Sequence, residues 1–204
     1  MTVVKLCGIR NWKDALAVNA SGADMAGVIL SPGFRRSVTI GSARSIRQTL
    51  QDEIPLCGVF VNAEIGRIVS YTEQGLIDWI QLHGQETNDY IDTVHAHCPL
   101  QKVIKAFVVR EASDIDRANA SHADLVLLDG GTGEGKGFDL NLLAGIRRPY
   151  LLAGGLDPDN AAAAVRSLHP YGVDTSSGIE TEGRKDPAKM AAFVQAVRKE
   201  DSRK

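Results

Sequence analysis

The chain carries eight short apolar runs, each stopping in small or polar residues and each followed by a stretch of helical character. Continuous apolar runs, unlike alternating ones, fit parallel strands buried on both faces. The predicted strands are Val3–Leu6, Ala26–Leu30, Leu56–Val61, Ile77–Leu82, Val103–Val108, Leu125–Leu128, Tyr150–Ala153 and Tyr171–Thr175. They recur about every 21 to 30 residues. Asn11 reads as the N-cap of a first helix that Gly22 stops, and Ser42 as the cap of a second helix reaching Leu50. Further helices are predicted over Glu64–Gln74, Glu86–His97, Ala112–Ala120 and around Leu140–Ile146. The last two open at Asp157-Pro158, with proline in its first turn, and at Pro187, running to Arg198. Eight such units with no break in composition predict one (β/α)8 (TIM) barrel over residues 1–204, in preference to an open doubly wound sheet.

Size and charge agree with that reading. The 204 residues suffice for one substantial core and lie near the lower limit for this barrel. A balance of 44% hydrophobic and 24% charged residues is that of a globular protein. The formal net charge of -2 provides no field for nucleic acid or an anionic membrane, so neither is expected as a partner. No apolar run approaches the length of a membrane span. Three cysteines, Cys7, Cys57 and Cys98, without a signal peptide predict reduced thiols and a cytoplasmic setting. The assembly is expected to be a monomer or a homodimer.

In a (β/α)8 barrel the chemistry lies at the C-terminal strand ends. Two late turns stand out there: Gly154-Gly155, after the seventh strand, and Ser176-Ser177-Gly178, after the eighth. Small residues let an anion reach backbone N–H groups, and a following helix N-terminus adds a favourable dipole, so the pair predicts one shared phosphate site.

Other strand ends carry residues with two readings each. Cys7 is either a small buried hydrophobe or, as a thiolate at the barrel mouth, a base or nucleophile. Asp129 is a loop cap or a general acid or base. Arg36 is a solvated loop charge or a fork for a carboxylate. His83 is bonded to a backbone carbonyl or titrates within the site. Asp174 orients the backbone before Ser176 or contacts the substrate. Cys57 reads as core and Cys98 as the end of a helix. The five histidines show no ligand spacing, so no metal is expected. Gly130–Gly137 lacks the context of a dinucleotide fingerprint and reads as a mobile loop beside the site.

Taken in order, these strand ends resemble the phosphoribosylanthranilate isomerase family of tryptophan biosynthesis. The resemblance runs from Val4 to about Phe193. It is carried by Lys5-Leu6-Cys7-Gly8-Ile9, Ser21-Gly22-Ala23-Asp24, Gly58-Val59-Phe60-Val61-Asn62, Gln81-Leu82-His83-Gly84 and Leu127-Leu128-Asp129. It continues in Gly137-Phe138-Asp139, Gly154-Gly155-Leu156, Val173-Asp174 and Ser176-Ser177-Gly178-Ile179-Glu180. It implies a cofactor-free Amadori rearrangement of N-(5-phosphoribosyl)anthranilate to 1-(2-carboxyphenylamino)-1-deoxyribulose 5-phosphate. By the same resemblance Asp129 is the general acid, Cys7 the general base and Arg36 the receptor of the anthranilate carboxylate. Gly154, Gly155, Ser176, Ser177 and Gly178 fall on the phosphate turns, and His83 and Asp174 are possible substrate contacts. One group must donate and one accept near neutrality, so shifted pKa values are expected.

The sequence departs from the family pattern in a compact loop after Asp129, in Leu140 where tryptophan is common, and in Ile29-Leu30 where aromatics are frequent. Two other enzymes share the barrel but not these residues. The imidazole carboxamide ribotide isomerase of histidine synthesis resembles this architecture but has an aspartate in place of Cys7, and a metal-dependent ribulose-phosphate epimerase needs histidine and carboxylate ligands. A non-catalytic phosphoribosyl-binding protein would have no need of Cys7 and Asp129 together.

Overall fold

The computed structural model describes residues 1–130 and 140–203. Eight parallel strands close into a barrel: β1 (Val3–Cys7), β2 (Met25–Ile29), β3 (Leu56–Phe60), β4 (Trp79–Leu82), β5 (Lys102–Val108), β6 (Leu125–Asp129), β7 (Tyr150–Ala153) and β8 (Gly172–Thr175). Neighbours pair in chain order, and β1 closes on β8 with Lys5 opposite Asp174. A two-stranded hairpin, β9 (Glu180–Thr181) and β10 (Arg184–Lys185), follows the eighth strand.

The outer layer is α1 (Trp12–Ser21), α2 (Ile40–Thr49), α3 (Ile65–Glu73), α4 (Asn88–His97), α5 (Ala112–Asn119), α6 (Ala161–Leu168) and α7 (Pro187–Asp201). Asn11 caps α1 by accepting from the Lys13 and Asp14 N–H groups, and Gly22 ends it at φ 75. Among the described residues no helix is long and apolar enough to cross a membrane.

Alternate residues of each strand face opposite ways. One set packs under the helices in the main core. The other meets inside the ring, where Met25, Cys57, Ile104, Leu125, Leu127 and Leu151 form a separate apolar cluster. The same inward parity, carried to the strand ends, brings forward Cys7, Gln81, Asp129 and Asp174.

Four helix boundaries differ from expectation. The cap of α2 is Thr39, whose Oγ1 accepts from the Ser42 N–H, so Ser42 lies inside the first turn. Helix α4 starts at Asn88 because the Glu86 carboxylate is occupied by the Asn62 and Gly84 N–H groups and Lys105. Leu140–Gly145 is a 3-10 helix. Asp157 accepts from the Asp159 and Asn160 N–H groups, so Pro158 lies in a capped turn and α6 proper begins at Ala161. Helix α7 runs on to Asp201, whose carboxylate accepts from Thr2 N and Oγ1, tying the two chain ends together.

Candidate active site

A cavity of about 370 Å³ opens at the C-terminal ends of the strands. Cys7, Arg36, His83, Asp129 and Asp174 line it, together with Gly154, Gly155, Ser176 and Ser177. Nearly all the residues singled out in the sequence therefore meet in one space. Cys7 and Asp129 enter from β1 and β6, with β8 and β7 between them around the ring.

The two late turns are tied to each other. Gly154 and Gly155 have φ of 97 and 66, a region that favours glycine. A Cβ on Gly154 would stand 2.8 Å from Asp129 Oδ1, so this turn also packs against the acid. Asn160 Nδ2 donates to Gly155 O (2.9 Å), and Thr175 Oγ1 to Leu156 O (2.6 Å). Gly178 does not line the cavity; a Cβ there would fall on the Leu156 carbonyl oxygen, so it is where the two turns touch. After β8 the chain makes only a three-residue 3-10 turn and the hairpin before α7. The expected helix dipole is therefore absent behind that turn, and an anion there would meet backbone N–H groups and the serine hydroxyls.

Arg36 reaches the cavity held by a carboxylate of the chain itself. Its Nε and Nη2 donate to Glu180 Oε1 and Oε2 at 2.6 and 2.8 Å. These bonds, with the Glu180 charge, raise the arginine pKa further. Arg35 and Lys185 also meet Glu180. Burial works against the Glu180 charge, and Arg36, Lys185 and Arg35 outweigh it, holding the carboxyl well below the usual range.

His83 Nδ1 lies 2.9 Å from Gln81 Nε2, and its Nε2 lies 3.7 Å from Asp129 Oδ2. The partner of His83 is thus a side chain, and its far nitrogen faces the acid. Gln81 Oε1 is buried and has no hydrogen-bond partner among the described residues. Asp174 is the counter-ion of Lys5, at 2.7 Å, while also lining the cavity. Burial pushes the Cys7 thiol up, Lys5 and Lys185 pull it down, and Asp174 adds to the rise. Cys57, inside β3, is pushed up to about 12 by burial.

A family model described as N-(5'phosphoribosyl)anthranilate (PRA) isomerase matches residues 4–196. The chain belongs to the phosphoribosylanthranilate isomerase family. It is 42% identical over 201 residues to N-(5'-phosphoribosyl)anthranilate isomerase of Lacticaseibacillus paracasei, with 98% of this chain and 96% of the relative covered. The crystal structure of phosphoribosyl anthranilate isomerase from Thermotoga maritima matches with a TM-score of 0.87 and 33% identity, covering 98% of this chain and 100% of that one. A phosphoribosyl anthranilate isomerase crystallised with reduced 1-(o-carboxyphenylamino)-1-deoxyribulose 5-phosphate matches with a TM-score of 0.85 and 32% identity, covering 98% and 100% of the two chains.

Against the family pattern, Ile29 lines the cavity and Leu30 is core, while Phe34, from the loop after β2, supplies an aromatic to the same wall. Residues 131–139, where the mobile loop was expected, and the Leu140 side chain lie outside the described residues. The sequence reading missed Lys5, Gln81, Glu180 and Lys185. A lysine in Val-Val-Lys-Leu-Cys and a glutamine in Trp-Ile-Gln-Leu, both within otherwise apolar strands, were the available signals for two of them.

Proposed function

We propose that this cavity performs the isomerisation of N-(5-phosphoribosyl)anthranilate with Asp129 as general acid and Cys7 as general base. The observation that carries the reading is the meeting of both groups with the Gly154-Gly155 and Ser176-Ser177 turns in one space of about 370 Å³. The phosphate is held at those turns and the anthranilate carboxylate at Arg36. Asp129 gives its proton to the furanose ring oxygen, which opens the ring to a protonated Schiff base. The Cys7 thiolate takes the proton from C2′, leaving an enolamine that tautomerises to the product ketone.

Each turnover leaves Asp129 one proton poorer and Cys7 one richer, so one proton must return before the next. His83 Nε2 faces Asp129 Oδ2 at 3.7 Å, on the cavity side. Gln81 Oε1 is placed to accept from a substrate hydroxyl or amine. The whole chain acts as one catalytic barrel, alone or as a homodimer. Free Cys7, Cys57 and Cys98 suit a reducing cytoplasm.

The test is the loss of anthranilate-type fluorescence on mixing the protein with freshly made substrate. Cys7→Ala and Asp129→Asn are each expected to lower turnover by about a hundredfold or more with the fold intact by circular dichroism. A variant that turns over like the wild type removes its residue from the mechanism. Substrate binding without fluorescence loss in the wild type overturns the enzymatic reading.

A further inference from the structure

We infer that Lys5 is a positioning residue that stabilises the thiolate of Cys7, beyond its part in a buried ion pair. The inference rests on Cys7 being the base proposed above. Lys5 precedes Cys7 by two residues on β1, so both side chains enter the barrel interior. The Lys5 side chain is fully buried, and its Nζ lies 2.7 Å from Asp174 Oδ1. Gly27, opposite Cys7 on β2, locates Nζ and Sγ relative to each other. A Cβ on Gly27 would stand 2.8 Å from Sγ and 3.1 Å from Nζ, so the two atoms approach one bare Cα and lie within about 6 Å of each other.

An ammonium at that range in a desolvated site favours the charged form of a thiol. The other groups facing Cys7 are Asp174 from β8, Lys185 from β10, Cys57 from β3 and Arg36 from the loop after β2. Asp174 opposes the thiolate and keeps Lys5 charged, for burial alone would drive the lysine neutral. The strand pair Lys5–Asp174 thus sets a balance of two opposite influences on one sulfur.

A purely structural ion pair makes a different prediction from this one. If the pair only holds β1 to β8, losing Lys5 and losing both partners should disturb Cys7 alike. If the charges act on the sulfur, the carboxylate left behind when Lys5 alone is lost raises the thiol further than loss of both. The experiment measures Cys7 alkylation by iodoacetamide against pH, resolved from Cys57 and Cys98 by peptide mass spectrometry, in the full chain.

Lys5→Met is expected to move the midpoint of the Cys7 profile up by about one pH unit or more, and adding Asp174→Asn to Lys5→Met, which takes away the carboxylate with no lysine left to discharge, is expected to bring it part of the way back down. Lys5→Arg, which keeps the charge, is expected to leave it near the wild-type position. No upward shift in Lys5→Met, or no return in the double variant, overturns the inference. If Lys5→Met does not fold, the double variant decides against Lys5→Arg: a midpoint above that of Lys5→Arg is expected, and an equal one overturns the inference. Because alkylation needs no substrate, these outcomes are independent of the Cys7→Ala activity test, whose failure would remove the base and leave the thiol's ionisation as measured.

Discussion

Arg36 and Glu180, 144 residues apart in sequence, meet through two parallel hydrogen bonds of 2.6 and 2.8 Å. The guanidinium fork that a substrate carboxylate would use is already aimed by a carboxylate of the chain itself. Its remaining nitrogen, Nη1, makes no hydrogen bond among the described residues, and in the proposed reading it is the edge that would meet the substrate carboxylate. Glu180 therefore fixes the direction of Arg36, with Arg35 and Lys185 sharing the excess charge.

Glu180→Gln removes that aim while keeping the side chain's size. We expect the KM for N-(5-phosphoribosyl)anthranilate to rise about tenfold, the scale of one lost charge-assisted hydrogen bond, with kcat changed less. Steady-state fluorescence kinetics give both constants. An unchanged KM would separate Arg36 from the substrate carboxylate.

The same carboxyl makes stability depend on pH with a definite sign. Its folded-state pKa is depressed below the ordinary 4.5, so the unfolded chain takes up its proton first as pH falls. The stabilisation is complete above that value and is lost progressively below it. Thermal melts should show wild type above Glu180→Gln near neutral pH, with the gap narrowing below about pH 4.5. A gap that widens on acidification would contradict the assignment.

Gly27→Ala probes the position of the base. The new methyl would stand 2.8 Å from Cys7 Sγ, closer than a carbon and a sulfur tolerate, and must displace the thiol or the strand. Displacement by a fraction of an ångström predicts a loss in kcat of about ten- to a hundredfold with phosphate binding retained. The comparison is kcat against the Kd for a phosphorylated product analogue. A kcat equal to wild type would show that the thiol's location is not critical.

The two late turns predict separate effects for adjacent substitutions. Ser177→Glu places a carboxylate in the proposed phosphate space and should raise KM at least about tenfold while leaving the melting temperature near wild type. Gly178→Ala drives a methyl onto the Leu156 carbonyl and should lower stability by about 2 kcal/mol. Denaturant unfolding and kinetics on both variants check the division. An unchanged KM in Ser177→Glu would place the phosphate elsewhere.

Most of this architecture was legible because burial on both strand faces leaves a continuous apolar signature, as in Leu125–Asp129 and Tyr150–Ala153. The strand ends then located Cys7, Asp129 and the glycine and serine turns. The buried charges were not legible. Lys5 and Lys105 interrupt apolar strands, and their counter-charges, Asp174 and Glu86, lie 169 and 19 residues away. Only register and loop path bring such pairs together. Glu180 ends a recognisable motif, but its role depends on cations from two separate segments. The Asn62 and Gly84 N–H groups drew Glu86 out of its predicted helix for the same reason: a tertiary partner outweighed a local pattern.

The Lys5–Asp174 pair also ties the closure of the ring to the eighth strand. The first strand bears a lysine whose counter-charge lies 169 residues on, in the strand that closes the ring. Until β8 docks, sealing β1 into the ring would strand a bare ammonium away from water, at a cost of several kcal/mol. The electrostatic surroundings of Cys7 are therefore complete only once β8 has docked beside β1.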